Sequence, residues 1–291
     1  MILALLLVAA AWAETGRFGR VAVVLSVQGP AGFHRPGEPA SRFYDLHTLD
    51  TLEVGQGLKL GPKAVVTLSV LSSGIRYRLT GPLLVTLDSK TPFQPGKGIS
   101  ELSRQAGREG LVASQQIELS KFGGVSSRRQ DRPIVTQDEA VVLDLDLLPQ
   151  PFEASSLKVF YHLEGSQDAW TPAQSSLVHH SGNRDQLKFK APLLEDKVYL
   201  VYIGDKSKPD ESDAQFPVLR LPAESLKPVR DLEKSATDFA GQAELFEMYR
   251  GLRLFDQAEA CLAKMRKLNP KGADWKRVQT ALDVERHSGR G

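Results

Sequence analysis

With a single cysteine, Cys261, in 291 residues, the chain cannot hold an internal disulfide, so its stability has to come from buried cores. Beyond the first thirteen residues no run approaches the ~18 apolar residues of a membrane-spanning helix. Blocks of one charge sign are also missing. The 37 basic and 35 acidic residues are interspersed and leave a net charge of +2, which excludes a whole-protein attraction to nucleic acid. The sequence contains no Gly-x-Ser-x-Gly, no phosphate loop, no dinucleotide fingerprint and no Cys-x-x-Cys pair. An enzyme is therefore not expected, and no catalytic, cofactor-binding or metal-ligating residue is assigned.

What the chain does have is a strong β pattern. From Asp50 to Leu87, Val66, Leu68 and Val70 alternate with Val65, Thr67 and Ser69, and Ile75, Tyr77 and Leu79 alternate with Arg76, Arg78 and Thr80. That two-residue period belongs to strands with one face buried. Breaks at Gly61-Pro62, Ser72-Ser73-Gly74 and Gly81-Pro82 supply turns, since glycine tolerates positive φ and proline presets a bend. Upstream, Arg20 to Val27 predicts a strand, a second follows near Gly32 to Arg35, and Phe43 to Leu60 returns in broken strands.

The text VVLSVQGPAGFHR followed by LDTLEVGQGLKLGPKAVVTLSVLSSGIRYRLTGP resembles the FecR-like extracytoplasmic domain over residues 20–88. Gly29, Arg35, Gly55, Gly61, Gly74 and Leu79 occupy positions of that family's strand-and-turn pattern, while the family's Gly-Asp turn is here Gly55-Gln56-Gly57. The resemblance implies a small β-rich domain in the bacterial periplasm or envelope. The signal relay of the best-known members works across a membrane helix, so only the extracytoplasmic module is carried over.

The N-terminus agrees with that compartment. Ile2 to Ala11 is apolar and ends in Ala11-Trp12-Ala13, a small-x-small pattern that predicts signal cleavage between Ala13 and Glu14. Residues 1–13 are thus expected to be a signal peptide, 14–88 the FecR-like β-domain and 89–132 a linker rich in Ser, Gly, Gln and Arg. Within that linker Ile99 to Gln105 and Leu111 to Leu119 are possible elements, and Arg128, Arg129 and Arg132 form a small basic cluster read as solvated.

Over 133–222 strand signals resume at Ala140 to Leu147, Leu157 to Leu163, Gln186 to Phe189, Val198 to Ile203 and Gln215 to Leu221, which predicts an immunoglobulin- or fibronectin-like β-sandwich. From 223 to 291 the period lengthens to three and four residues. Two helices split near Arg253 to Asp256, and a third starts at Trp275. AELFEMYRGLRLFDQAEACLAKMRKLNP resembles one tetratricopeptide unit, with Leu245, Tyr249, Ala258, Leu262 and Pro270 at motif positions. A lone unit cannot bury its own face, so these helices either pack within the chain, on the sandwich, or offer Leu245, Tyr249, Ala258 and Leu262 to a partner. Cys261 falls among them as a core residue.

The fold class expected is mainly β with a C-terminal helical segment. Three further clusters read as surface: His179-His180, the Asp144 and Asp146 pair, and Asp210-Glu211-Ser212-Asp213, which lacks the glycine and distal glutamate of a calcium loop. The function expected is non-enzymatic: a protein-binding, scaffolding or sensing module of the envelope, periplasmic or secreted, whose partner is another envelope protein. The alternative is a carbohydrate- or cell-wall-binding module using Tyr161, Trp170, Tyr199 and Tyr202, and an exported hydrolase stands third. Export makes a direct prediction: mass spectrometry of the mature protein should find Glu14 as the first residue, and an intact Met1 in an envelope fraction would refute it.

Overall fold

The computed structural model describes residues 19–39, 41–88, 93, 95–104, 134–137, 140–144, 157–166, 168–180, 184–207, 209 and 215–287. The fold is mainly β, with four helices at the C-terminal end of the chain. It divides into two compact units, residues 1–116 with 232–248 and 258–279, and residues 117–231 with 249–257 and 280–291.

The first unit holds two antiparallel sheets. One has the order β4-β1-β6-β7-β9, built from Thr51–Glu53, Arg20–Gln28, Val65–Val70, Ile75–Thr80 and Ile99–Arg104. The other runs β3-β2-β5-β8, from Tyr44–Asp45, Ala31–His34, Gly57–Leu60 and Leu83–Thr86. The alternation in the sequence decides what lies between them. Val66, Leu68, Val70, Tyr77 and Leu79 point inward with Ala22, Val24, Leu52, Leu58 and Leu60, and together form one core. Within the stretch read as a linker, the possible element at Ile99 to Gln105 is a strand, Ile99–Arg104, which pairs with β7 and completes the first sheet. Gly29, Gly55 and Gly74 adopt positive φ at turns. Leu79 is fully buried, whereas Arg35 is exposed.

The other face of the first sheet is also covered. Val23, Ser69 and Arg76 stand in one row across β1, β6 and β7, and Val23 and Ser69 are completely buried. Their cover is α2, Phe239–Gly251, which is buried along its length from Ala240 to Tyr249. Two carboxylates go in with it. Glu244 accepts a hydrogen bond from Ser69 Oγ at 2.6 Å and lies 3.6 Å from Arg76 Nε, while Glu247 lies 3.6 Å from Arg20 Nη1. Glu244 and Glu247 are each 1% exposed, so these arginines are what makes burying two anions tolerable. Arg76 also grips Asp238 through both terminal nitrogens, at 3.0 and 3.4 Å. Asp238 is at the same time the N-cap of α2, accepting from Gly241 N–H at 2.7 Å. A second pin joins α4, Trp275–His287, to the β4 side: Arg277 donates to Asp50 Oδ1 at 2.7 Å and to the Thr48 carbonyl at 3.2 Å.

The second unit is built on a seven-stranded sheet, β10-β16-β15-β12-β13-β14-β11. Its strands are Ile134–Thr136, Gln215–Arg220, Val198–Gly204, Lys158–Leu163, Thr171–His180, Arg184–Lys190 and Ala140–Asp144. The long β13 pairs with β12 through Thr171 to Ala173 and with β14 from Gln174 onward, so it carries the chain from one half of the sheet to the other. Val141, Leu143, Leu187 and Phe189 from one half pack on Val159, Tyr199, Val201, Ile203 and Val218 from the other, which is a sandwich core. Neither β13 nor β10 was expected from the sequence. α1, Ala223–Glu233, is likewise additional to the three expected helices, and it contains Pro228. Its first N–H, at Ala223, is capped by Glu195 Oε2 at 3.1 Å. Between α2 and α4 lies α3, Phe255–Leu268.

The anchoring of α2 can be tested by unfolding. Glu244→Ala should cost about 3 kcal/mol in denaturant-induced unfolding, because Ser69 and part of the Arg76 guanidinium lose their buried acceptor, and Glu244→Gln should cost less. Burial alone would raise the Asp238 pKa, but the Gly241 N–H and the Arg76 guanidinium outweigh it and hold the carboxyl below its ordinary value. The folded state therefore binds this proton more weakly than the unfolded chain does. The stability Asp238 contributes is complete above the ordinary carboxylate range and disappears as pH falls through the depressed value. Asp238→Asn should lower the unfolding midpoint at pH 7, and the gap from the native protein should close in acid.

Candidate functional site

Several of the residues singled out in the sequence lie in the interior. Leu245, Tyr249, Ala258 and Leu262 are 2, 3, 0 and 5% exposed, so the helical face considered for a partner is interior and unavailable to one. Cys261 is buried too, and that burial pushes its thiol up to about 11, with Lys264 opposing and Glu233 adding to the shift. Tyr199 and Tyr202 are buried at 7 and 5% exposure, Tyr161 packs against the sandwich core, and Trp170 leans on His162 with centroids 4.2 Å apart. These four aromatics form no exposed platform. His179 and His180 end β13 opposite Asp185 and Arg184. Asp144 ends β11, while Asp146, the Asp210 to Asp213 run, Arg128, Arg129, Arg132, Leu111 to Leu119 and the Ala13-Glu14 junction lie outside the described residues. Among the described residues no three His, Cys, Asp or Glu side chains group as metal ligands, and no helix is long and apolar enough to cross a membrane.

One family-pattern residue, Arg35, leads to a different surface. It belongs to the loop between β2 and β3, at one end of the second sheet of the first unit. Strand register assigns the faces there. Phe33, Tyr44, Leu58 and Val85 form one row and Leu58 is fully buried, so that row faces the core. The neighbouring rows, Asp45-Gly32-Lys59-Leu84 and His34-Gly57-Thr86, therefore face outward, and Leu84 is 70% exposed. On this outer face two rings replace side chains that the backbone lacks. A Cβ on Gly57 would collide with the imidazole of His34, and one on Gly32 would sit 3.5 Å from Phe43 Cβ and 2.8 Å from the Tyr44 carbonyl. Glycine at these two positions lets both rings settle close to the strands. The rings meet edge to face with centroids 5.5 Å apart.

One cation lies over Phe43, and two more lie over Tyr44 of the neighbouring, core-facing row. Lys59 Nζ lies 5.1 Å from the Phe43 centroid, and the guanidinium carbons of Arg35 and Arg42 lie 5.1 and 5.3 Å from the Tyr44 centroid. Tyr44 itself is held by packing on Phe33, at 5.6 Å, and by donating its hydroxyl hydrogen to Glu38 Oε1 at 3.0 Å. Such cation–π contacts at an exposed site contribute about 0.5–1 kcal/mol each and leave the charge largely open to solvent and to a ligand. Among the described residues none of the three cations forms a salt bridge with a carboxylate, in contrast to Arg20, Arg76 and Arg277. The sequence named only Arg35 of this group, for its place in a family pattern. The available signal was the local density of aromatic and basic residues across Phe33 to Tyr44 in FHRPGEPASRFY.

Comparison with protein-family models, with curated proteins and with solved structures finds no match to this chain.

The thiol makes a separate prediction. At pH 8 a group titrating near 11 is ionised in only about one molecule in a thousand, against roughly a quarter for an ordinary cysteine. Iodoacetamide should therefore leave Cys261 unmodified in native protein and alkylate it promptly in denaturant. Equal rates in the two states would contradict the burial.

Proposed function

We propose that this chain is a non-enzymatic binding and scaffolding module that acts outside the cytoplasm, as a component of a bacterial envelope. The observation that carries the proposal is a set of exposed cations around the β3-β2-β5-β8 sheet, Lys59 over Phe43 on its outer face and Arg35 and Arg42 over Tyr44 at its end, which form no salt bridge with a carboxylate among the described residues. A charge pattern left uncompensated on an ordered surface suits an anionic partner. The rest of the first unit suits the scaffolding part of the role. Its core, its buried ion pairs and its helical cover hold that face in place, so a partner meets a preformed surface. The FecR-like resemblance of residues 20–88 points to the same compartment.

Replacing Arg35, Arg42 and Lys59 together by Glu tests this reading. In fractionated cells the native chain should accompany the envelope, and the charge-reversed chain should be released while keeping its unfolding midpoint. A matched reversal at the exposed Lys188 and Lys190 of β14 should leave the distribution unchanged. Retention of the triple variant would refute the assignment of this face.

A further inference from the structure

We propose that the turn joining α3 to α4 docks this chain onto the surface of an anionic phospholipid bilayer, with Lys267, Lys271 and Lys276 on the lipid phosphates and Leu268 among the headgroups. These residues are distinct from the cations around the β3-β2-β5-β8 sheet, so the inference adds a second contact to that reading.

The charge here is local. Over the whole chain 37 basic residues are nearly balanced by 35 acidic ones, but from Ala263 to Arg277 there are six basic residues and one acidic, Asp274. Asp274 is engaged as the N-cap of α4, accepting from the Arg277 N–H at 3.1 Å. Arg277 is itself matched, since it holds Asp50 and the Thr48 carbonyl. The other five, Lys264, Arg266, Lys267, Lys271 and Lys276, are exposed, and among the described residues none of them forms a salt bridge.

Helix electrostatics account for part of this set. Cations in the last turn of α3 offset the negative end of its dipole, which explains Arg266 and Lys267. Lys276 has no such reason. It stands in the first turn of α4, where the dipole disfavours a cation and where the helix carries no acidic residue. An anionic surface outside the chain would offset that cost.

The turn brings the charges together. The buried stripe of α3, Ala258, Cys261, Leu262 and Met265, directs Lys264 and Lys267 to the opposite, solvent side. Asn269 N–H then closes on the Met265 carbonyl at 2.9 Å and Gly272 N–H on the Asn269 carbonyl at 3.1 Å. The indole N–H of Trp275 donates to the Pro270 carbonyl at 2.8 Å, so the first residue of α4 is held against the end of α3. Every residue from Arg266 to Lys271 is exposed, and Leu268 is 51% exposed in the middle of that run.

A bilayer fits this surface better than another polyanion. An ordered turn open along its whole length offers no pocket, and a flat surface needs none. Four of the five unpaired cations are lysines, whose flexible stems can lie along apolar material while the ammonium reaches a phosphate. A leucine between Lys267 and Lys271 finds an apolar place between lipid headgroups that a nucleic acid or an acidic peptide does not provide. The one large ring at the turn is not free to stack on bases. Trp275 meets Phe239 edge to face with centroids 6.4 Å apart, and its N–H is already engaged.

Co-sedimentation of the full chain with phosphatidylcholine vesicles, with and without about one-third phosphatidylglycerol, tests the proposal. The chain should partition at least tenfold better onto the anionic vesicles, and less as salt is raised. Lys267→Gln with Lys271→Gln and Lys276→Gln should lower that partition about thirtyfold or more. Removing the same charge elsewhere, by Arg35→Gln with Arg42→Gln and Lys59→Gln, should lower it by no more than about threefold. Leu268→Ser should weaken vesicle binding several-fold with the salt dependence unchanged, which separates insertion from general electrostatics. All these side chains except Leu268 are charged and all are exposed, so unfolding midpoints should stay at the native value. Failure to bind anionic vesicles, equal loss from the two triple variants, no response to Leu268→Ser, or duplex DNA or polyglutamate bound as tightly as the vesicles overturns the assignment. A polybasic contact of this size is weak and reversible at physiological salt, so retention in cells needs both surfaces and the release expected of the charge-reversed chain is unaffected. Should vesicle binding fail while that chain still leaves the envelope, the reading of the sheet stands and only the lipid contact falls.

Discussion

Glu244 and Glu247 enter a helix that is buried on all sides from Ala240 to Tyr249, and the structure of the first unit depends on how their charge is met. A carboxylate taken out of water needs an opposite charge or hydrogen-bond donors close by. Both needs are met from the β-sheet. Ser69 on β6 and Arg76 on β7 serve Glu244, and Arg20 on β1 serves Glu247. Because the donors sit on three different strands, only one placement of α2 across the sheet satisfies them. Apolar burial alone would tolerate sliding, since Val23 could pack against many helical surfaces. The charges thus select the position, at a cost in desolvation that an all-apolar contact would not carry. The partners are also far apart in the chain: Ser69 and Glu244 are separated by 175 residues. A face covered by so distant a segment stays open until that segment arrives, which places this unit among slow-folding, high-contact-order architectures.

Five arginines of the first unit fall into two groups that sequence alone does not distinguish. Arg20, Arg76 and Arg277 are matched to Glu247, Glu244 with Asp238, and Asp50, and they fasten the helices. Arg35 and Arg42 lie over Tyr44, as Lys59 lies over Phe43. The difference follows from the sheets that carry them. The first sheet has an outer face that must be covered, since Val23 is buried there, and acidic residues arrive with the cover. The outward rows of the second sheet contain Gly32, Gly57 and an exposed Leu84, and rings lie on them where a helix would otherwise be needed. Aromatic rings shield the glycine backbone and hold cations by their faces, and those cations remain accessible.

How much of this was legible in the sequence follows from which interactions are local. β6 and β7 were readable because each residue's face is fixed by alternation, and the break at Ser73-Gly74 gives the turn. Tyr77 and Leu79 lie where that pattern puts them. β13 was hidden for the opposite reason. TPAQSSLVHH begins with a proline-bearing polar run, and its pairing is shared between β12 and β14, so no single period marks it. α1 was hidden by Pro228, which ordinarily argues against a helix interior. The apolar stripe of Leu245, Tyr249, Ala258 and Leu262 was correctly seen as a stripe that must be covered. Glu244 and Glu247 were unremarkable, because nothing in a helix's own sequence reveals that an arginine some 170 or more residues earlier will meet a carboxylate. The ring-and-cation face was legible only as composition. Its geometry depends on Gly32 and Gly57 standing beneath the rings, and that is a matter of strand register between segments.

The two sheets of the first unit have two outer faces, and the fold uses them unequally. One is closed by α2, held by charges that cannot be released without exposing buried carboxylates, so it is a poor place for reversible contact. The other is ordered by its own backbone. Glycine at two neighbouring outward positions lets His34 and Phe43 settle against the strands in advance, and Tyr44 is held by Phe33 and Glu38 before any ligand arrives. A surface whose rings are already in place loses less conformational freedom on binding than one whose side chains must be gathered. Closure of one face and preorganisation of the other are therefore linked. The helical cover makes the sheet pair rigid from behind, and that rigidity keeps Lys59 and Phe43 at fixed positions on the side left open.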